Sequence, residues 1–335
     1  MAKSTLHQLN VICEGAPVPG RVNEDAAYLA VNDETVTLLA VDGATPRLPA
    51  HALTLLLAAW PEQPMTPAGH AARVARVTVA CTPHLALRDR LLAANAELRQ
   101  QLVDVYGALT PDTVIGQEPH VRDIGSDPRL FRLVLPACVA TLAEVDLAAR
   151  HLTYAHAGDT ALFVWYADGR IDKVPSADLA GREGEFLARA WAMQDRPPDG
   201  SFVQPMRGED LVLADKLTGI FHNYVDEHGS TDPALGVAVI NGLPQLDAYL
   251  MSGEFDLTGA TGVLVCSDGL LWPAERNAPP DDAVRRWAFM RDTIQHDGLT
   301  GYYRQLRELE ASDPRCQRFP RFKVHDDATG LYLRL

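Results

Sequence analysis

The stretch TVTLLAVDGAT, Thr35 to Thr45, decides how this chain folds. Val36 to Val41 are aliphatic or β-branched and run straight into Asp42-Gly43. So short and apolar a run predicts a strand buried on both faces rather than a helix, closed by a turn dipeptide. A second stretch, TGVLVCSDGLLW, repeats the device with Asp268-Gly269. Asp-Gly alone marks only a turn, and the chain has five such pairs. Asp168-Gly169, in FVWYADGRIDKV, predicts a hairpin tip, whereas Asp199-Gly200 and Asp297-Gly298 stand in polar loop contexts. Asp42 and Asp268 differ because each is delivered at the mouth of a buried strand, where rigid backbone can hold a carboxylate. Two such strands in one chain predict that the carboxylates meet, and that metal sits where they do.

Composition narrows the class. At 335 residues the chain can bury a large core, and 47% hydrophobic with 22% charged residues is ordinary for a globular protein. A net charge of −14 argues against a nucleic-acid or anionic-membrane surface, since both want basic patches. The five cysteines (Cys13, Cys81, Cys138, Cys266 and Cys316) are odd in number and form no C-x-x-C pair, which speaks against zinc and a disulfide framework. Cys138 and Cys266 sit in apolar runs and read as core filler. MAKSTLHQLN has no apolar signal core, and no stretch approaches the ~20 apolar residues of a membrane span. The expected home is the cytoplasm, with no membrane association.

Working outward, Leu6 to Glu14 and Ala26 to Val31 are predicted strands, so Glu24 and Asp25 stand just ahead of the second. On extended chain these two acids point opposite ways, so one can face a metal while the other turns to a water or a backbone group. Leu48 to Trp60 is helical in character, and Thr82-Pro83 predicts the start of a long amphipathic helix to Tyr106. Residues 107–132 have no period and are expected to be a loop insertion: a lid, a partner contact or plain decoration. From Ala137 a four-strand meander is expected, with Gly158-Asp159 at one of its turns and His156 as a packed strand residue. Helices are expected at Asp178 to Trp191, Asp210 to Val225, Asp281 to Gln295 and Thr300 to Ala311, and strands at Gly236 to Ile240 and Gly262 to Cys266. RFKVHDDATGLYLRL closes the chain as strand, acidic turn and final strand. With no repeat or linker in view, residues 1–335 are expected to form a single domain.

The acids now fall in a row at strand ends and turns: Glu24-Asp25, Asp42, Asp159, Asp268 and Asp326-Asp327. Carboxylates with little His or Cys suit hard cations such as Mg2+ and Mn2+. Two such ions can activate a water and clamp a phosphoryl group. R-x-N-E-D early, a buried strand ending in D-G, A-G-D-T in a meander, S-D-G-L-L-W and a terminal D-D-A-T come in the order of a known family. The chain resembles, from Arg21 to Leu335, the metal-dependent serine/threonine protein phosphatases of type 2C, of bacterial type.

The resemblance implies an α+β fold, a four-layer α-β-β-α sandwich of two packed antiparallel sheets flanked by helices. It also implies two or three Mn2+ or Mg2+ ions and hydrolysis of phosphoserine or phosphothreonine in a protein substrate from a serine/threonine kinase pathway. Carried over by position, Asp42 bridges two metals, Glu24 and the Gly43 carbonyl complete one site, and Asp268 with Asp326 binds the other. Asp159 joins Asp268 at a third metal, Asp25 orients the attacking water, and Arg21 grips the substrate phosphate. Three positions depart from the family: Arg21 lies three residues before Glu24 rather than four, Ala44 and Thr45 follow Asp42-Gly43 where a histidine is common, and Asp327 replaces an asparagine. Two rival readings are a catalytically silent phosphoprotein-binding module of the same fold and a hydrolase of small phosphate esters.

Overall fold

The computed structural model describes residues 8–44, 54–60, 66–118, 131–174, 221–226, 228–232, 235–276, 278–279, 282–321 and 323–335. Two five-stranded antiparallel sheets dominate. One runs β10(Met251–Asp256), β5(His151–Ala157), β4(Ala137–Asp146), β3(Thr35–Ala44), β2(Ala26–Asn32). The other runs β1(Gln8–Glu14), β12(Ala328–Arg334), β11(Ala260–Cys266), β6(Ala161–Tyr166), β7(Ile171–Val174).

Strand alternation sorts the core into layers. In β3, Val36, Leu38 and Ala40 face the second sheet, where they pack with Leu162, Val164, Val263, Val265, Leu331 and Leu333. Leu39 and Val41 point the other way, onto Ala71, Ala75, Leu91 and Leu98 of helices α2(Pro67–Cys81) and α3(Leu87–Tyr106). On the far side, Phe163, Trp165, Leu264 and Tyr332 pack against Met290, Ile294, Tyr302 and Leu306 of a long helix, Asp282–Ser312. The result is helix, sheet, sheet, helix: the α+β sandwich that the family resemblance implies. Both buried strands are apolar on both faces for this reason.

The structure corrects several local expectations. Thr82-Pro83 does not open the long helix. Thr82 follows the end of α2, donating its hydroxyl to the Thr78 carbonyl at 2.7 Å, and α3 begins at Leu87. Helix α2 itself went unread, although Thr66 caps it through Gly69 N at 3.0 Å and Pro67 opens it. The 107–132 stretch is not structureless at its start. Pro111–Gln117 is a helix with a Thr110 capping box, and the buried Glu118 beyond it accepts from Leu55 N at 2.7 Å. Residues 131–134 are helical as well, and 119–130 lie outside the described residues.

Gly298, at φ 75° and ψ 169°, kinks the Asp282–Ser312 segment into two helical halves, in keeping with the two helices expected on either side of Asp297-Gly298. β8(Phe221–His222) pairs in parallel with β9(Gly236–Val237), so a helix does not run to Val225. Residues 323–325 bend, and among the described residues no strand leads directly into the acidic turn. Strand β10, exposed along nearly its whole length, was missed because its polar MSGEFD carries no burial pattern. The helix expected at 178–191, most of that at 210–225, and Asp199-Gly200 lie outside the described residues. Among the described residues no helix is long and apolar enough to cross a membrane.

Candidate metal centre

Register brings the acids to one end of the sandwich. Ala26 pairs with Val41, which sets Asp25 beside Asp42. Cys266 pairs with Ala161 and with Gly330, so the chain before β6, after β11 and before β12 emerges together, carrying Asp159, Asp268 and Asp326. The Gly158-Asp159 turn also links β5 of one sheet to β6 of the other.

The charges feel one another. Burial, followed by the charges of Asp25, Asp268, Asp159 and Asp326, holds the Asp42 carboxyl well above the carboxylate range. Asp25 is pushed up to about 8 by burial and by Asp268 and Asp327, against the stabilising hydroxyl of Ser267. Asp268 rises to about 7 through burial and the charges of Asp326 and Asp159, with a hydrogen bond from Asp42 pulling the other way. Asp268 is exposed on one side, so water relieves part of its dehydration while the repulsion remains. A cluster of mutually repelling oxygens calls for positive charge.

Hydrogen bonds fix most of these groups. Ser267 Oγ donates to Asp25 Oδ2 at 2.8 Å and accepts from Thr329 N at 2.9 Å, so β12 orients Asp25 through a serine. Asp327 spends both oxygens on backbone: Oδ1 accepts from Ala16 N at 2.7 Å and Oδ2 from Glu24 N at 2.8 Å. An asparagine here could accept only one of those bonds, so Asp327 is the residue that clamps Glu24 in place. Gly43 has a different reason than metal approach alone. A Cβ there would lie 2.6 Å from the Glu24 carbonyl oxygen, so the glycine makes room for Glu24 against β3.

Arg21 and Asp326 do not stand apart. Arg21 Nη2 meets Asp326 Oδ1 at 3.1 Å and its Nη1 donates to the His325 carbonyl at 3.3 Å. Lys323 Nζ binds the same Asp326 oxygen at 2.7 Å. Burial alone would lower Lys323, but the Asp326 charge outweighs it and holds the ammonium above its ordinary range. Arg307 anchors this segment from the long helix, donating to the Asp326 carbonyl at 2.5 Å and to Glu310 at 2.6 Å.

His156 is a buried strand residue with a job. Its Nε2 donates to the Gly158 carbonyl and its Nδ1 accepts from the Thr141 hydroxyl, both at 2.8 Å, while Thr160 and Thr141 share a 2.7 Å bond. The chain of bonds braces the turn that carries Asp159. Burial pushes the His156 imidazole down to about 4. A folded value below the ordinary 6.5 means that acid protonates the unfolded chain first. Stability from this group is complete above about pH 6.5 and falls, by up to about 3 kcal/mol, as the pH drops toward 4. Chemical denaturation of the protein and of His156→Gln at pH 7 and pH 4.5 checks this. The stability gap between them narrows at the lower pH.

The donor chemistry fits a divalent cation: hard oxygens, crowded and repelling, on rigid strand ends. Their placement is not a closed cage, since among the described residues no three His, Cys, Asp or Glu side chains stand at ligating spacing. Two of the cysteines, Cys138 and Cys266, are buried in the strands next to the cluster, while Cys13 and Cys81 are exposed. All five are free thiols, and burial alone raises Cys138, while Cys266 is pushed up to about 12.

The chain is similar to bacterial serine/threonine phosphatases. The Mycobacterium tuberculosis serine/threonine phosphatase PstP/Ppp matches at 14% identity over 98% of each chain, with a TM-score of 0.45. The serine/threonine phosphatase Stp1 from Staphylococcus aureus matches at 12% identity over 100% of this chain and 97% of its own, with a TM-score of 0.45. RsbX, solved in complex with magnesium, matches at 10% identity over 98% of this chain and 93% of its own, with a TM-score of 0.44. No protein-family model and no curated protein matches the chain. These are likenesses of chain path at low identity.

Proposed function

We propose that the protein is a metal-dependent phosphatase that hydrolyses phosphoserine or phosphothreonine in protein substrates. The observation that carries the reading is the convergence of Asp25, Asp42, Asp159, Asp268 and Asp326 from both sheets, each raising or being raised by the charge of another. Asp42, Glu24 and the Gly43 carbonyl on one side, and Asp268, Asp326 and Asp159 on the other, would hold two or three Mn2+ or Mg2+ ions. Such ions, when bound, supply Lewis acidity toward a phosphoryl oxygen and acidify water to a nucleophile at neutral pH.

The residues of the chain do the rest. Asp25, whose Oδ2 is held by Ser267, would orient the attacking water. Arg21 stands at the rim with donors beyond those given to His325 and Asp326, and these take a phosphate oxygen. The substrate would come from a serine/threonine kinase pathway, in the cytoplasm.

One observation favours the catalytically silent alternative. Asp326 is already neutralised by Arg21 and Lys323, as a retired metal ligand would be. A panel of phosphoserine and phosphothreonine peptides alongside a chromogenic small ester, all with Mn2+, separates the readings. The proposal expects phosphate release from peptides at higher kcat/KM than from the ester. Turnover of the ester alone would make the protein a small-molecule phosphomonoesterase, and turnover of neither would leave a binding module.

A further inference from the structure

Asp326 Oδ1 takes three donors at once: Arg21 at 3.1 Å, Lys323 at 2.7 Å and its neighbour's Asp327 N at 2.9 Å. Arg21 alone suffices to balance the single charge of Asp326. The ammonium of Lys323 is therefore surplus to that pair, and its charge reaches Asp268 across the cluster. Lys323 sits on the bend that carries Asp326 to the cluster, and it is two-thirds buried, with a side-chain exposure of 33%. Solvated lysines do not bury an ammonium on a carboxylate that already has a cation unless other negative charge needs it.

We propose that Lys323 is a tethered counter-cation that occupies the Asp268–Asp326 side of the cluster and competes there with a divalent ion. It sets how tightly, and in what number, divalent ions bind. The chain then needs less added metal to hold its carboxylates together, and ion binding on that side requires the ammonium to swing out. The inference rests on reading the cluster as a cation site, but not on any turnover.

The test is calorimetric titration of Mn2+ into metal-stripped protein, comparing the native chain with Lys323→Gln and Lys323→Arg, with melting curves for each. Lys323→Gln should bind Mn2+ at least about tenfold more tightly, or bind one ion more, because a positive charge beside two carboxylates is gone. Its metal-free melting temperature should fall and recover on adding Mn2+, while Lys323→Arg should match the native chain in both. A Lys323→Gln protein that folds only when Mn2+ is present also supports the proposal, since the ion then replaces the ammonium. Equal affinity and stoichiometry in the native and Gln proteins would overturn the role of Lys323 while leaving the cation site standing. Absence of Mn2+ binding to all three would overturn both. Failure of both Lys323→Gln and an isosteric Lys323→Met to fold with or without Mn2+ would make the lysine a structural residue and overturn the proposal.

Discussion

Asp42→Asn is expected to lower the proposed phosphatase turnover by roughly 10²-fold or more, whereas Asp168→Asn should leave it unchanged. Both residues precede glycine, so an account in which each is a turn former expects two small, equal effects. Asp168 sits at the β6–β7 hairpin, where its Oδ1 accepts from Arg170 N at 2.9 Å, a bond that the asparagine oxygen keeps. Asp42 instead lies where the charges of four other carboxylates converge. The amide keeps its shape and removes the charge that would hold cations there. Without metal the variant should melt higher than the native protein at pH 7, because one member of a repelling cluster is neutral. The sign follows from the raised folded value: Asp42 destabilises the metal-free fold above its ordinary titration range, and the gain vanishes only below about pH 3, where both states are protonated. Initial rates and melting curves for the pair check this, and equal activities would reduce Asp42 to a turn.

Gly269→Ala is expected to destabilise the protein and to damage the site together. A Cβ at position 269 would lie 1.8 Å from the Asp327 carbonyl oxygen and 3.1 Å from Asp326 Cβ. The first contact is with backbone, which cannot swing aside as a side chain would. Forced overpacking of this kind costs about 1–3 kcal/mol. Here the segment that must move carries Asp326 and the two bonds by which Asp327 clamps Ala16 and Glu24. A denaturation midpoint shift, with loss of turnover at temperatures where the variant is still folded, is the expected pair of results. Unchanged stability would mean that the 3-10 turn Asp268–Leu270 does not press on the Asp327 backbone as described.

These two aspartates also show what the sequence made legible. Asp42 and Asp268 stand out because an apolar run on both sides of a strand can be read from residue types alone, and an Asp-Gly at its end is then anchored. The two packed sheets and their flanking helices are implied by the family resemblance rather than by these runs alone. What could not be read depends on distant partners. Ser267 matters to Asp25 only because β12 lies beside β11, and His156 braces the Asp159 turn through the Gly158 carbonyl and through Thr141 of the neighbouring β4, which bonds Thr160.

Lys323 gave no signal, since one lysine in RFKVHDD looks like solvated surface until the fold sets it on Asp326. Arg21, expected to face a phosphate, proves to be held by Asp326 as well, which local spacing could not reveal. Helix α2 was lost to a decoy: Thr82-Pro83 has the chemistry of a helix start, yet the Thr82 side chain closes the helix before it. Glu118 likewise looked like loop until burial against Leu55, Leu56 and Tyr106 gave it a place.

The central claim is that the carboxylate cluster works through bound divalent cations on a phosphorylated protein. The measurement that tests it most directly is inorganic phosphate release from a phosphothreonine peptide by the purified protein, first with Mn2+, then with excess EDTA, then with Mn2+ restored. Release that needs Mn2+ or Mg2+, stops with chelator and returns with metal is the predicted result. Full release in excess EDTA, or none with either metal at any concentration up to the millimolar range, would contradict it.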